Sequence, residues 1–211
     1  IDNYYQTFNA NLSYDKWTPM FEEFDAKPFT FTKTYSDSQE NQLFVRVCNI
    51  GGECDEKTTW LRIDKTLPDK PTVVNSSKGE WTSSNVTLTV SSNDTWSGID
   101  KYYYTYAENP QNVEFGTNPD TSWAVLEGGD NKTRFKTKAW TGVAGGVYNK
   151  TVYVKVCDVA GNCTMSDPTN IKIDKQAPSK PVISNPHENV WVKKPYDITI
   201  TSNDGEGAGI N

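Results

Sequence analysis

Short runs in which apolar and polar residues alternate recur along the chain, and no stretch places apolar residues at helical spacing over three turns. In VTLTV (86–90) the apolar Val86, Leu88 and Val90 are separated by threonines, and in TVYVKV (151–156) Val152, Val154 and Val156 are separated by Tyr153 and Lys155. KYYYTY (101–106), RFKTKAW (134–140) and NIKI (170–173) are of the same kind, rich in β-branched and aromatic residues and bounded by turn residues. Each such run predicts a strand with one face turned to a core and the other to water.

The pattern also recurs on a longer scale. VRVCNIGGEC followed by RIDKTLPDKP (62–71) aligns with VKVCDVAGNC followed by KIDKQAPSKP (172–181), about 109 residues later. EWTSSNVTLTVSSND in the middle of the chain aligns with VWVKKPYDITITSND near its end, and IDNYYQTF (1–8) aligns with IDKYYYTY (99–106). That period is too long for a solenoid unit and fits a whole domain in tandem. It divides the chain into the C-terminal part of a first repeat (1–69), a complete second repeat (70–175) and the N-terminal part of a third (176–211), a window on a longer array. About seven short strands in about 105 residues is the pattern of an immunoglobulin-like sandwich. The expected fold class is all-β, tandem immunoglobulin-like sandwiches joined by short Pro-containing linkers. Two prolines three residues apart, Pro68 and Pro71 or Pro178 and Pro181, keep each linker extended and stiff.

Charge and cysteine count narrow the setting. A net charge of -6 disfavours a nucleic-acid or anionic lipid partner, and no apolar run is long enough to span a bilayer. The four cysteines form two C-x5-C pairs, Cys48/Cys54 and Cys157/Cys163. Even count and paired spacing point to disulfides and an oxidising compartment. Zinc is the rival reading, although its ligands usually come closer together in sequence. DVAGN is then a hairpin connection, with Gly161 and Asn162, or Gly51 and Gly52 in the earlier copy, supplying positive φ. A cysteine at each base clamps the hairpin, and the redox alternative lacks the helix N-terminus that activates a thiol.

The string SGI-x-K-Y-x-Y, then Y-V-K-V-C-D-x-A-G-N-C, then I-D-K-x-x-P, at 97–104, 153–163 and 173–178, resembles the bacterial immunoglobulin-like repeats of large cell-surface and adhesin-type proteins, mainly of Gram-positive bacteria. The cysteines around the turn depart from the commoner pattern. The resemblance implies extracellular, cell-surface or cell-wall-attached modules that act as stalks, spacers or ligand-binding elements and are not enzymes. Expected partners are a host-surface or secreted glycoprotein or glycan, and neighbouring repeats of the same chain. The alternative is an ancillary module of a larger secreted carbohydrate-active enzyme.

Candidate chemistry is sparse. The single histidine, His187, stands in a loop with no recognisable nucleophile elbow near it. Asn93, Asp94 and Asp100, or Asn203, Asp204 and Glu206, lie in Gly-containing turns where calcium would find oxygens; Asp94 and Asp100 are the candidate ligands, and an Asx turn is the alternative. No cofactor is otherwise implied. Seven N-x-S/T sequons, from Asn11 to Asn162 and including Asn131, carry glycans only in a eukaryotic secretory pathway.

Strand phase supplies the sharpest lead. If Val152, Val154 and Val156 face the core, Tyr153 and Lys155 point outward, and on the preceding strand Lys101, Tyr103 and Thr105 lie opposite the face of Tyr102, Tyr104 and Tyr106. The earlier copy places Tyr5 outward on one strand and Phe44 and Arg46 on the other. If these strands are neighbours, each repeat displays aromatics beside a cation, the composition of hot spots and sugar-stacking platforms, or else of cross-strand pairs that only stabilise the sheet. Trp96, in the loop before the strand, adds an aromatic in one repeat only.

Overall fold

In a computed structural model of the chain the described residues are 3–9, 11, 16–20, 32–127 and 135–210, with the backbone alone at 3 and 135–137. The sequon at Asn131 and the first residue of the run 134–140 lie outside them. The chain divides into two compact units, Ile1–Thr66 with Thr95–Ser97, and Leu67–Asp94 with Gly98–Asn211.

The first unit carries an antiparallel sheet in the order β2–β1–β3–β4, built from β1 (Asn3–Thr7), β2 (Thr18–Pro19), β3 (Gln39–Cys48) and β4 (Cys54–Ile63). β3 and β4 are a continuous hairpin, paired from Gln39 opposite Ile63 to Cys48 opposite Cys54. Among the described residues Trp17 and Leu43 are its buried apolar side chains.

The second unit holds a sandwich. One sheet is β5 (Thr72–Asn75), β6 (Val86–Ser91) and β9 (Phe135–Trp140); the other has β10 (Val147–Asp158) between β7 (Ile99–Thr105) and the chain's return, β11 (Cys163–Met165) and β12 (Thr169–Asp174), with β8 (Ala124–Val125) beyond β7. β11 and β12 are two lengths of one edge strand. Between them the Val154 carbonyl accepts the Ser166 amide, the Ser166 hydroxyl accepts the Val154 amide, and Pro168 has no amide to offer. Counted so, the sandwich has seven strands among the described residues, in the ABE and GFC-type arrangement of an immunoglobulin-like domain. β13 (Val182–Ser184) and β14 (Thr199–Thr201) form a separate ribbon whose Val182, Ile183 and Ile200 stay exposed.

The core follows strand phase. Val86, Leu88 and Val90 of β6 face Val152, Val154 and Val156 of β10, Ile171 and Ile173 of β12, and Tyr102 and Tyr104 of β7, all buried in one cluster. Ile99 joins the cluster despite standing three residues before Tyr102, because the ladder with β10 shifts register at Asp158 and puts one extra residue, Asp100, on β7. Tyr106 and Tyr148 pack against the edge of the core, and burial pushes the Tyr148 phenol far above its ordinary pKa. The Trp140 indole N–H donates to the Tyr106 hydroxyl at 2.7 Å.

Both cysteine pairs are disulfides, with Cα–Cα distances of 4.0 Å at Cys48–Cys54 and 4.1 Å at Cys157–Cys163. Each closes a hairpin, and only one residue per turn needs the left-handed region: Gly52 at φ 85° and Gly161 at φ 95°. Gly51 and Asn162 do not, contrary to the sequence expectation. Asn162 works through its side chain and amide instead, both donating to the carboxylate of buried Asp158 at 2.8 and 2.7 Å.

Leu88→Ala is expected to cost about 2 to 5 kcal/mol and to lower the urea midpoint at unchanged slope. Replacing Cys157 and Cys163 together by serine should cost about 2 kcal/mol in the same unfolding experiment, as expected for so short a closed loop.

Candidate functional site

The outer face of the β10–β7 ladder is where alternation turns its polar and aromatic positions. Tyr153 lies opposite Thr105, Lys155 opposite Tyr103 and Cys157 opposite Lys101. On the far sides Lys155 faces Met165 of β11 and Tyr103 faces Val125 of β8, so Met165, Lys155, Tyr103 and Val125 form one rung across four strands.

This face is not open along its whole length. The chain between β7 and β8 folds back over it, and Thr105, outward by phase, is fully buried with its hydroxyl donating to the Pro119 carbonyl at 2.9 Å. The returning segment holds its own shape. The Tyr106 amide donates to the Pro119 carbonyl and the Trp123 amide to the Glu114 carbonyl, and the Trp123 indole N–H donates to the Pro110 carbonyl at 3.0 Å. Trp123 ends fully buried, while Phe115, bridged to it, is 54% exposed.

Lys155 lies close to both rings. Its Nζ is 4.3 Å from the Trp123 ring centroid and 5.1 Å from that of Phe115, and Phe115 stacks at a tilt on Tyr103 with centroids 4.7 Å apart. Burial lowers the pKa of this ammonium, and the Glu114 carboxylate nearby opposes the shift. Among the described residues no hydrogen-bond acceptor meets Nζ and no carboxylate is close enough for an ion pair.

The first unit repeats the arrangement with one decisive change. Tyr5 of β1 lies opposite Arg46 of β3 and Pro19 of β2, and Trp17 precedes Pro19 by two residues, as Trp123 precedes Val125. The Arg46 guanidinium lies 4.3 Å from the Trp17 ring centroid. Its rung partner on β4 is Glu56, where the second unit has Met165, and Arg46 Nε donates to Glu56 Oε1 at 2.8 Å while its second nitrogen pairs with the same oxygen. Arg46 is therefore only 4% exposed, which corrects the expectation that it is displayed on the surface. Phe44 and Tyr5 are half-buried on the same face.

The remaining candidates scatter. Tyr153 is half-buried, Lys101 lies 3.5 Å from the Asp100 carboxylate, and Trp96 is 47% exposed in its loop. Asp94 accepts the Gly98 amide at 2.7 Å, and its carboxylate stands within 4.8 Å of that of Asp158, a residue outside the expected Asp94 and Asp100 pair. His187 packs edge-on against Tyr196 at 4.9 Å.

Strand alternation does not reveal Trp17, Trp123, Phe115 or Glu56. The loop that delivers the tryptophan is eight residues longer in the second copy, which hides their equivalence in a simple alignment. A tryptophan just before a two-residue strand in both copies was the available signal.

No protein-family model matches the chain, and no curated protein matches it. Among solved structures it is similar to the fibronectin(III)-like modules of Clostridium thermocellum CbhA, at 16% identity and a TM-score of 0.37, over 83% of this chain and 78% of that one. The all-β, immunoglobulin-like class rests on the chain's own sheets and core.

The Lys155 side chain is expected to lose its proton below the ordinary lysine range when followed by NMR at its ε-carbon. Removing Glu114, as Glu114→Gln, should lower that midpoint further.

Proposed function

We propose that the chain is a non-enzymatic extracellular module of a bacterial surface protein, a stalk element that also binds a host glycoprotein or glycan through the outer face of β7 and β10 in the second unit. The observation that carries this reading is the cluster of Phe115, Tyr103 and Lys155. An exposed ring is held in place by a buried tryptophan scaffold and a neighbouring tyrosine, beside an ammonium that nothing described neutralises at contact distance. Rigid aromatic area beside a cation is the composition of binding hot spots, because little side-chain entropy is lost when a partner covers it.

Supporting features are consistent with a load-bearing extracellular role. A disulfide clamps the β3–β4 hairpin in the first unit and the β10–β11 hairpin in the second, as suits an oxidising compartment. A service as ancillary module beside a carbohydrate-active catalytic domain uses the same face, since a sugar ring stacks on Phe115 equally well in either setting.

Phe115→Ala combined with Tyr153→Ser is expected to abolish capture of host serum or mucus glycoproteins in a pull-down, with the melting temperature nearly unchanged. Undiminished capture by the double variant would remove this face from consideration as the binding site.

A further inference from the structure

The geometry points to a carboxylate-bearing sugar, a uronic or sialic acid residue of a glycan, as the ligand of the Phe115, Tyr103 and Lys155 face. This rests on the binding role proposed above and specifies its chemistry.

The two units supply the contrast that carries the inference. In the first, the cation on the central rung is satisfied internally, with Glu56 bonded to Arg46 from the adjacent strand and Trp17 on its face. In the second, the same position on the adjacent strand is Met165, which offers a cation no comparable acceptor. The Lys155 ammonium is close to the rings of both Trp123 and Phe115, and its three N–H donors meet no acceptor among the described residues. Glu114 influences it only from a distance, and burial already disfavours its charge. A half-buried ammonium in this state gains most from an incoming anion that completes its hydrogen bonds.

The surroundings select among anions. Phe115 is 54% exposed and lies against Tyr103, so the apolar face of a pyranose has a ring to stack on directly beside the ammonium. In a sugar acid the carboxylate stands one bond outside the ring, within reach of an Nζ that is 5.1 Å from the Phe115 centroid. An extended acidic peptide is less well served. β10 and β7 are both paired on each side, so neither strand has a free edge from which a peptide ladder could grow at this rung.

Calorimetric titration of the whole chain with a galacturonic acid trimer, its methyl ester and a tetraglutamate peptide tests the inference. The acid should bind, and the ester should bind about ten- to a hundred-fold more weakly, the loss that a charge-assisted hydrogen bond carries. Lys155→Met should remove the preference for the acid. Met165→Glu, which copies the internal carboxylate of the first unit, should do the same with an unchanged or raised melting temperature, so the test survives if the Lys155 variant folds poorly. Equal binding of acid and ester, or tetraglutamate binding as tightly as the trimer, overturns the sugar acid while leaving the face a binding site. Absence of binding by all three probes, with glycoprotein capture still lost in the Phe115 and Tyr153 double variant, likewise overturns only the ligand class. Capture that persists in that double variant overturns the binding role itself.

Discussion

The antiparallel ladder between β7 and β10 is the constraint on which the rest of the second unit depends. Its inner side carries Tyr102, Tyr104, Val152, Val154 and Val156 into the core, and a slip of one residue would turn all of them to water. Burying a side chain of this size contributes about 1.5 to 3 kcal/mol. Five such side chains fix the register far more firmly than any surface contact. The outer face is therefore set by the inner one, and Lys155 and Tyr103 stand side by side because the valines and tyrosines behind them have no alternative.

What happens on the outer face is decided by the cost of removing a cation from water. Desolvating a charge costs several kcal/mol, and a cation–π contact returns only about 2 kcal/mol or somewhat more. Arg46 reaches 4% exposure because Glu56 and Trp17 act on it together. Lys155 has two aromatic neighbours and no carboxylate on its rung, and it remains only half-buried. The same backbone frame thus gives a closed structural pair in one unit and, among the described residues, a cation without an acceptor in the other. On the adjacent strand the difference is Glu56 against Met165.

The hairpin that follows β10 joins these features to the rest of the edge strand. Asp158 is buried beneath the turn and accepts two bonds from Asn162, and the Cys157–Cys163 disulfide closes the ladder immediately before it. Two residues beyond Cys163, Met165 enters the rung of Lys155. Clamping the turn also fixes which residue of the return strand faces the ammonium.

Much of this was legible from residues alone. Alternation in VTLTV and TVYVKVC determined the strands, the core valines and the outward phase of Tyr153 and Lys155, since period-two burial is a local property of the chain. The paired cysteines marked two closed hairpins, because a five-residue spacer with a glycine turns back on itself. The covering of the outer face was not legible. Whether Trp17 and Trp123 lie over a cation depends on where β2 and β8 pair after connecting segments of unequal sequence length, and on pairings such as Arg46 with Glu56 that exist only once the strands are in register. Local sequence determined which way each side chain points, and tertiary structure alone decided which of the outward ones still meet water.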